Sequence, residues 1–205
     1  MSSVAYPYRY ACCFLLMASA QVFAVEPAPT LDQANAALRL ALAAETAGAG
    51  RESASPLIGA LQESITLSAV QGCQPVDPEQ TTCIVKLESL MRDGYQALRF
   101  RLDGPHWRLV KQADIAAPQP GLAQAQELVR EHLLGLAERQ ADAKRAAEYR
   151  EFATGLVMDE LASCDLDRDS GAVECDGAFH TSASGKGFKP MRFALLGSAW
   201  SLLPD

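Results

Sequence analysis

Two periodicities alternate along this chain. Leu31, Ala34, Leu38 and Leu42 recur at the spacing of one helix face, and Leu122, Ala125, Val129 and Leu133 do so again. After each helix the period drops to two. Cys83, Val85 and Leu87 take one side of a strand, Lys86 and Glu88 the other. Leu98, Phe100 and Leu102 then alternate with Arg99 and Arg101; a turn at Asp103-Gly104 leads to Trp107 and Leu109, alternating with Arg108. Residues 65–70 and 156–161 read as strands that lead into Cys73 and Cys164. The pattern predicts, twice over, a helix followed by a four-stranded antiparallel meander whose one face the helix covers. The first helix should break near Gly48-Ala49-Gly50, with room for a short second helix up to Leu61. The second copy has only Gly135 there and is rich in Ala, Glu, Arg and Lys, which predicts one long helix to about Arg150.

The doubling is visible residue by residue. Residues 94–110, GYQALRFRLDGPHWRLV, match residues 187–203, GFKPMRFALLGSAWSLL, at seven of 17 positions. Residues 31–42 and 122–133 share five of 12, and Pro27 and Pro29 fall opposite Pro118 and Pro120. Roughly two identities would be expected by chance over both stretches at ordinary residue usage. The cysteines keep the register, Cys73 with Cys164 and Cys83 with Cys175. The offset grows by one residue between the two cysteines and by one more before the Gly94/Gly187 strand, both at predicted turns, where insertions are tolerated. The expected organisation is therefore a signal peptide over 1–24, a first α+β repeat over 25–113 and a second over 114–205.

The signal peptide rests on Arg9, the apolar stretch over residues 11–24 and Val22-Phe23-Ala24 at the cut; 14 apolar residues are too few to span a bilayer. Cys12 and Cys13 precede the apolar core, where a lipidation signal would follow it. Its removal leaves four cysteines, an even number in an exported chain, which reads as disulfides. Three pairings exist. Cys73 with Cys83 and Cys164 with Cys175 need only a hairpin each and are preferred; no C-x-x-C spacing suggests zinc.

Among 205 residues, 49% hydrophobic and 21% charged content excludes a disordered, collagen-like or polytopic membrane chain. A net charge of −7 argues against nucleic acid as a partner. The first copy carries about −2 of this and the second about −6.

The closing pattern Arg-Phe-x-Leu-x-Gly-x-x-Trp-x-Leu, present at 99–109 and 192–202, resembles the last hairpin of cystatin-like and nuclear-transport-factor-like α+β folds. Tandem helix-plus-four-strand units with one disulfide each also resemble the layout of the β-lactamase inhibitory protein. The resemblance is one of layout; it implies a cystatin-like fold and transfers no functional residue.

Candidate chemistry is sparse. Asp165, Asp167, Asp169, Ser170, Gly171 and Asp176 imitate a calcium loop, but the sixth position wants Gly and the twelfth Glu, and the matching place in the first copy, 76–79, is an ordinary turn. A hairpin tip is the expected reading. Ser184-Gly185-Lys186-Gly187 lacks the rest of a phosphate loop and reads as a strand connector. His106, His132 and His180 keep no recognisable spacing to a Ser and an acid, and no Gly-x-Ser-x-Gly is present. Trp107 and Trp200 have inward parity and are expected in the core. No cofactor or metal is called for.

Surface remains. Parity places Lys86, Glu88, Arg99, Arg101 and Arg108 on the sheet face that the first helix leaves uncovered; Ala178, His180, Arg192, Ala194 and Ser201 are their counterparts. The leading expectation is an exported, non-catalytic protein-binding module of inhibitor, immunity or adaptor type. Its partner would be an envelope or secreted protein, met in a periplasm or outside the cell. The candidate binding residues are Lys86, Glu88, Arg99, Arg101, Arg108, His180 and Arg192. The alternative is a small hydrolase or small-ligand carrier with a pocket between helix and sheet.

Overall fold

The structure, a computed structural model, describes residues 28–48, 64–112, 114–181 and 185–204. The expected signal peptide, the Gly48-Ala49-Gly50 break beyond Gly48 and the short second helix of the first copy lie outside the described residues. So do Ser184 and the leading Pro27.

The first unit contains α1 (Leu31–Gly48), β1 (Thr66–Asp77), β2 (Gln80–Glu88), β3 (Gly94–Asp103) and β4 (His106–Leu109). The second contains α2 (Leu122–Arg139), α3 (Ala143–Gly155), β5 (Val157–Leu166), β6 (Val173–His180), β7 (Gly187–Leu196) and β8 (Ala199–Leu203). Each sheet is an antiparallel meander in sequence order, β1-β2-β3-β4 and β5-β6-β7-β8. The molecule is thus two tandem α+β units, each a helix packed on a four-stranded antiparallel sheet.

Local chemistry explains the helix boundaries. Thr30 and Gln33 form a reciprocal cap at the start of α1: the Gln33 N–H donates to Thr30 Oγ1 (3.3 Å) and the Thr30 N–H to Gln33 Oε1 (2.9 Å). The single long helix expected in the second copy is instead two. Asp142 accepts from the N–H groups of Lys144 and Arg145 and so caps a new helix, α3. Arg130 of α2 donates from Nε to Ala153 O in the last turn of α3 (3.1 Å), tying the helical hairpin together.

Ala34, Ala37 and Leu38 of α1 are buried against Leu67, Val85, Phe100 and Trp107, and Ala125 of α2 against Met158, Met191, Phe193 and Trp200. Leu31 and Leu122, expected on these faces, are exposed because the helices enter the core only one turn later. Both tryptophans are in the core, as parity predicted. A matched pair of polar ties marks the duplication. Asn35 exchanges two 2.9 Å bonds with the backbone of Leu67 at the outer edge of β1, and Gln126 accepts from Met158 N–H (2.8 Å) at the edge of β5. Each satisfies backbone groups that an edge strand would otherwise leave open.

Cys73 is bonded to Cys83 and Cys164 to Cys175, with Cα separations of 4.0 and 4.1 Å. Both are the pairings expected from hairpin proximity.

Candidate functional site: the junction of the two units

The two sheets remain separate but are clamped together. Gly72 of β1 and Gly197, in the β7–β8 turn, form one parallel bridge. Cys73 N–H donates to Gly197 O (2.7 Å) and Gly197 N–H to Gln71 O (2.9 Å). A Cβ at position 72 would come within 2.6 Å of Leu195 O, so the close approach requires glycine. The Cys73–Cys83 disulfide braces β1 beside this bridge.

A second clamp comes from the loop that imitates a calcium site. Residues 167–172 join β5 to β6. Asp167 Oδ1 accepts from the N–H of Asp169 (2.9 Å), and Oδ2 accepts from the hydroxyl of Ser170 (2.6 Å) and from Arg192 Nη2 (3.3 Å). The Ser170 hydroxyl first, then the Asp169 N–H, with a smaller contribution from the Arg192 guanidinium, hold this carboxyl below the usual aspartate range. So braced, the loop reaches the first unit. Tyr95 N–H donates to Arg168 O (2.7 Å) and Gln71 Nε2 to Gly171 O (3.0 Å). Gly171 has φ +73°, and a Cβ there would meet the Gln71 side chain and the Tyr95 ring. Among the described residues no three His, Cys, Asp or Glu side chains converge.

This docking changes the picture of the first unit's outer face. Ile84 has outward parity yet is fully buried, packed into the second unit's core with Val173 and Leu195. Tyr95 packs there too. The face expected to be uncovered is therefore covered at the Gly72–Ile84–Tyr95 end and open at the other. Arg101 and Arg108 are direct cross-strand partners, both exposed, and Arg99 lies two residues along. Arg108 pairs with Asp103 (2.6 Å). Arg99 donates to Thr82 Oγ1 (3.2 Å) and to Gln112 Oε1 (3.5 Å). Lys86 is half-buried and Glu88 exposed at the strand end, away from the three arginines.

In the second unit the candidates are scattered. Arg192 serves the Asp167 loop. His180, the last residue of β6, places Nδ1 2.9 Å from Asp159 Oδ2 on the surface. Ala178 and Ala194, expected on the open face, are buried. His106 is the first residue of β4.

Two described cavities lie at the junction, and neither lies between a helix and its sheet. The larger, about 640 Å³, is walled by residues 95–98 of β3, by Cys164, Asp165 and Leu166 of β5, by Arg168, and by Gln112 and residues 114–117 of the linker. The smaller, about 230 Å³, lies on the other side of Tyr95 and Arg168, against Arg92 and Asp93. The linker is held to the first unit by Gln74, which donates to Gln119 O and accepts from its N–H, both at 3.1 Å. Parity could find the arginines; the cleft arises from contacts between residues some 70 positions apart and had no local signal.

No known protein family, no curated protein and no solved structure matches the chain. Among the described residues no helix is long and apolar enough to cross a membrane.

Proposed function

We propose that the chain is exported and acts by binding another envelope or secreted protein, without a catalytic step of its own. The observation that carries this reading is the arrangement of Arg99, Arg101 and Arg108 on the open end of the first unit's sheet. Arginine is enriched at interface hot spots because its planar fork bonds and stacks at once. Rigid strands carry these three, and the second unit fixes the rest of that face. Two disulfides agree with an oxidising compartment, a periplasm or the outside of the cell. The resemblance of layout to the β-lactamase inhibitory protein and cystatin-like folds supports an inhibitor or adaptor role, by analogy of layout alone.

The test is affinity purification from the native envelope fraction with mass spectrometry, in parallel with a variant carrying Arg99→Ser, Arg101→Ser and Arg108→Ser. The expected result is a protein partner whose affinity falls by about 2 kcal/mol or more in the variant while the melting temperature barely moves. Recovery of a bound small molecule and no protein would reverse the reading.

A further inference from the structure

The second unit's sheet carries an exposed aromatic ring on the face that its helices leave uncovered. Phe188 of β7 is 77% exposed, and no other aromatic side chain among the described residues is exposed. Strand register fixes its neighbours. Phe188 lies opposite Ala178 of β6, Ala178 opposite Glu160 of β5, and Pro190 opposite Asp176. Residues directly opposite one another share a sheet face, and so do residues two apart on one strand, so these five side chains stand together. Asp176 is diagonal to Phe188, about 7–8 Å away, and Glu160 stands two strands across, about 10 Å. Both carboxylates are exposed, and neither has a hydrogen-bond or ion-pair partner among the described residues. The cations of this face are engaged or lie at its margin: His180 is held by Asp159, Arg192 by Asp167, and Lys186 precedes the strand.

The same end of the first sheet is where the second unit docks. In the repeat Phe188 matches Tyr95 and Asp176 matches Ile84, and both first-unit residues pack into the second unit's core. The repeat thus sets an aromatic at this place twice, beside an apolar residue in the first unit and beside a carboxylate in the second. Apolar surfaces suit permanent contacts, whereas mixed apolar and charged ones suit partners that bind and leave. Charge then selects the occupant. A second copy meeting this face across a two-fold axis sets carboxylates against carboxylates. Anionic lipid and nucleic acid meet the same repulsion. A cation is attracted twice, by the negative face of the ring and by the carboxylates beside it. We infer that the Phe188 end of the second sheet binds a basic protein surface, seating one Lys or Arg side chain of that partner on the Phe188 ring between Asp176 and Glu160. The site goes beyond the protein-binding reading above, which rests on the first unit's arginines, and does not depend on them.

The probe is a phage-displayed library of random 12-residue peptides, linear and disulfide-looped, selected on the intact protein and remade by synthesis. Phe188→Ser removes the ring. Asp176→Asn together with Glu160→Gln removes the charge and keeps the shape. All three positions are exposed, so the melting temperatures of both variants should stay close to the parent's. Expected are peptides enriched in Lys and Arg, bound about tenfold or more weakly by each variant and released as salt is raised. The variant with Arg99, Arg101 and Arg108 replaced by Ser should bind them as the parent does. Selection of no peptide, of neutral or acidic peptides only, or of peptides that bind both variants as they bind the parent overturns the inference. A parent that sediments as a dimer and becomes a monomer on Phe188→Ser also overturns it, since a second copy then covers the ring. Peptides lost on replacing the three arginines but kept by Phe188→Ser overturn it as well, and leave the arginine reading standing.

Discussion

Asp167 sits in a run that imitates a calcium loop, yet both of its carboxylate oxygens are occupied by its own hairpin and by Arg192. Its duplicate role is visible at Asp77, which accepts from Glu79 N–H (2.8 Å) and Gln80 Nε2 (2.9 Å) in the first unit's turn. The turn chemistry of Asp-x-Asp-Ser-Gly was legible in the sequence, since Asp and Ser side chains favour such local bonds. The bond to Arg192 was not, because it joins residues 25 apart through strand register. A carboxyl whose folded pKa is depressed stabilises the fold fully above its unfolded value, about 3.9, and loses that stabilisation as pH falls below it through the folded value. Urea midpoints of the parent and Asp167→Asn should therefore differ at pH 7 and converge as the pH is lowered below about 4. A gap that stays constant with pH would mean that the charge plays no part.

At the scale of elements, hydrophobic period alone located both helices and most strands, because each presents one apolar stripe or alternate face to a core. It missed the break before α3. Composition there favours helix throughout, and only the single Asp142 side chain redirects the backbone N–H groups. It also stopped β1 short: the strand continues through Cys73 to Asp77, since the disulfide hairpin is itself part of the sheet. Cys73 and Cys83 are direct cross-strand partners, and Cys73 N–H is bonded to the second unit. Removing this crosslink should thus act twice, on the unfolded chain and on the junction. Replacing both cysteines by Ser should cost about 2.5–3 kcal/mol, the chain-entropy value for a loop of about ten residues. Amide exchange should also quicken at Gly197 and Tyr95, which form the junction. If exchange quickens only within β1 and β2, the disulfide braces the hairpin alone.

On the scale of the whole molecule, the duplication was legible but not its asymmetry. Positions that match in the repeat have parted where the units meet. Ile84 is buried in the second unit's core, whereas its counterpart Asp176 is exposed; Tyr95 is packed, whereas Phe188 is 77% exposed. Gly72, which admits Leu195, has become Ser163. The second unit therefore does not repeat, on its own sheet, the surface by which the first unit receives it. Shared burial predicts shared unfolding. Ile84 contributes to a core made of the other unit's residues, and four backbone or side-chain bonds cross beside it. Calorimetry of the parent should show a single transition. Ile84→Asp places the duplicate's own residue in that core, where an unpaired charge cannot be buried; the units should then part and melt in two separate transitions. Ile84→Val, which keeps the contact at a cost of about 0.5–1.5 kcal/mol, should retain one transition at a slightly lower temperature. Two transitions in the parent, or one unshifted transition in Ile84→Asp, would show instead that the units are joined without sharing a core.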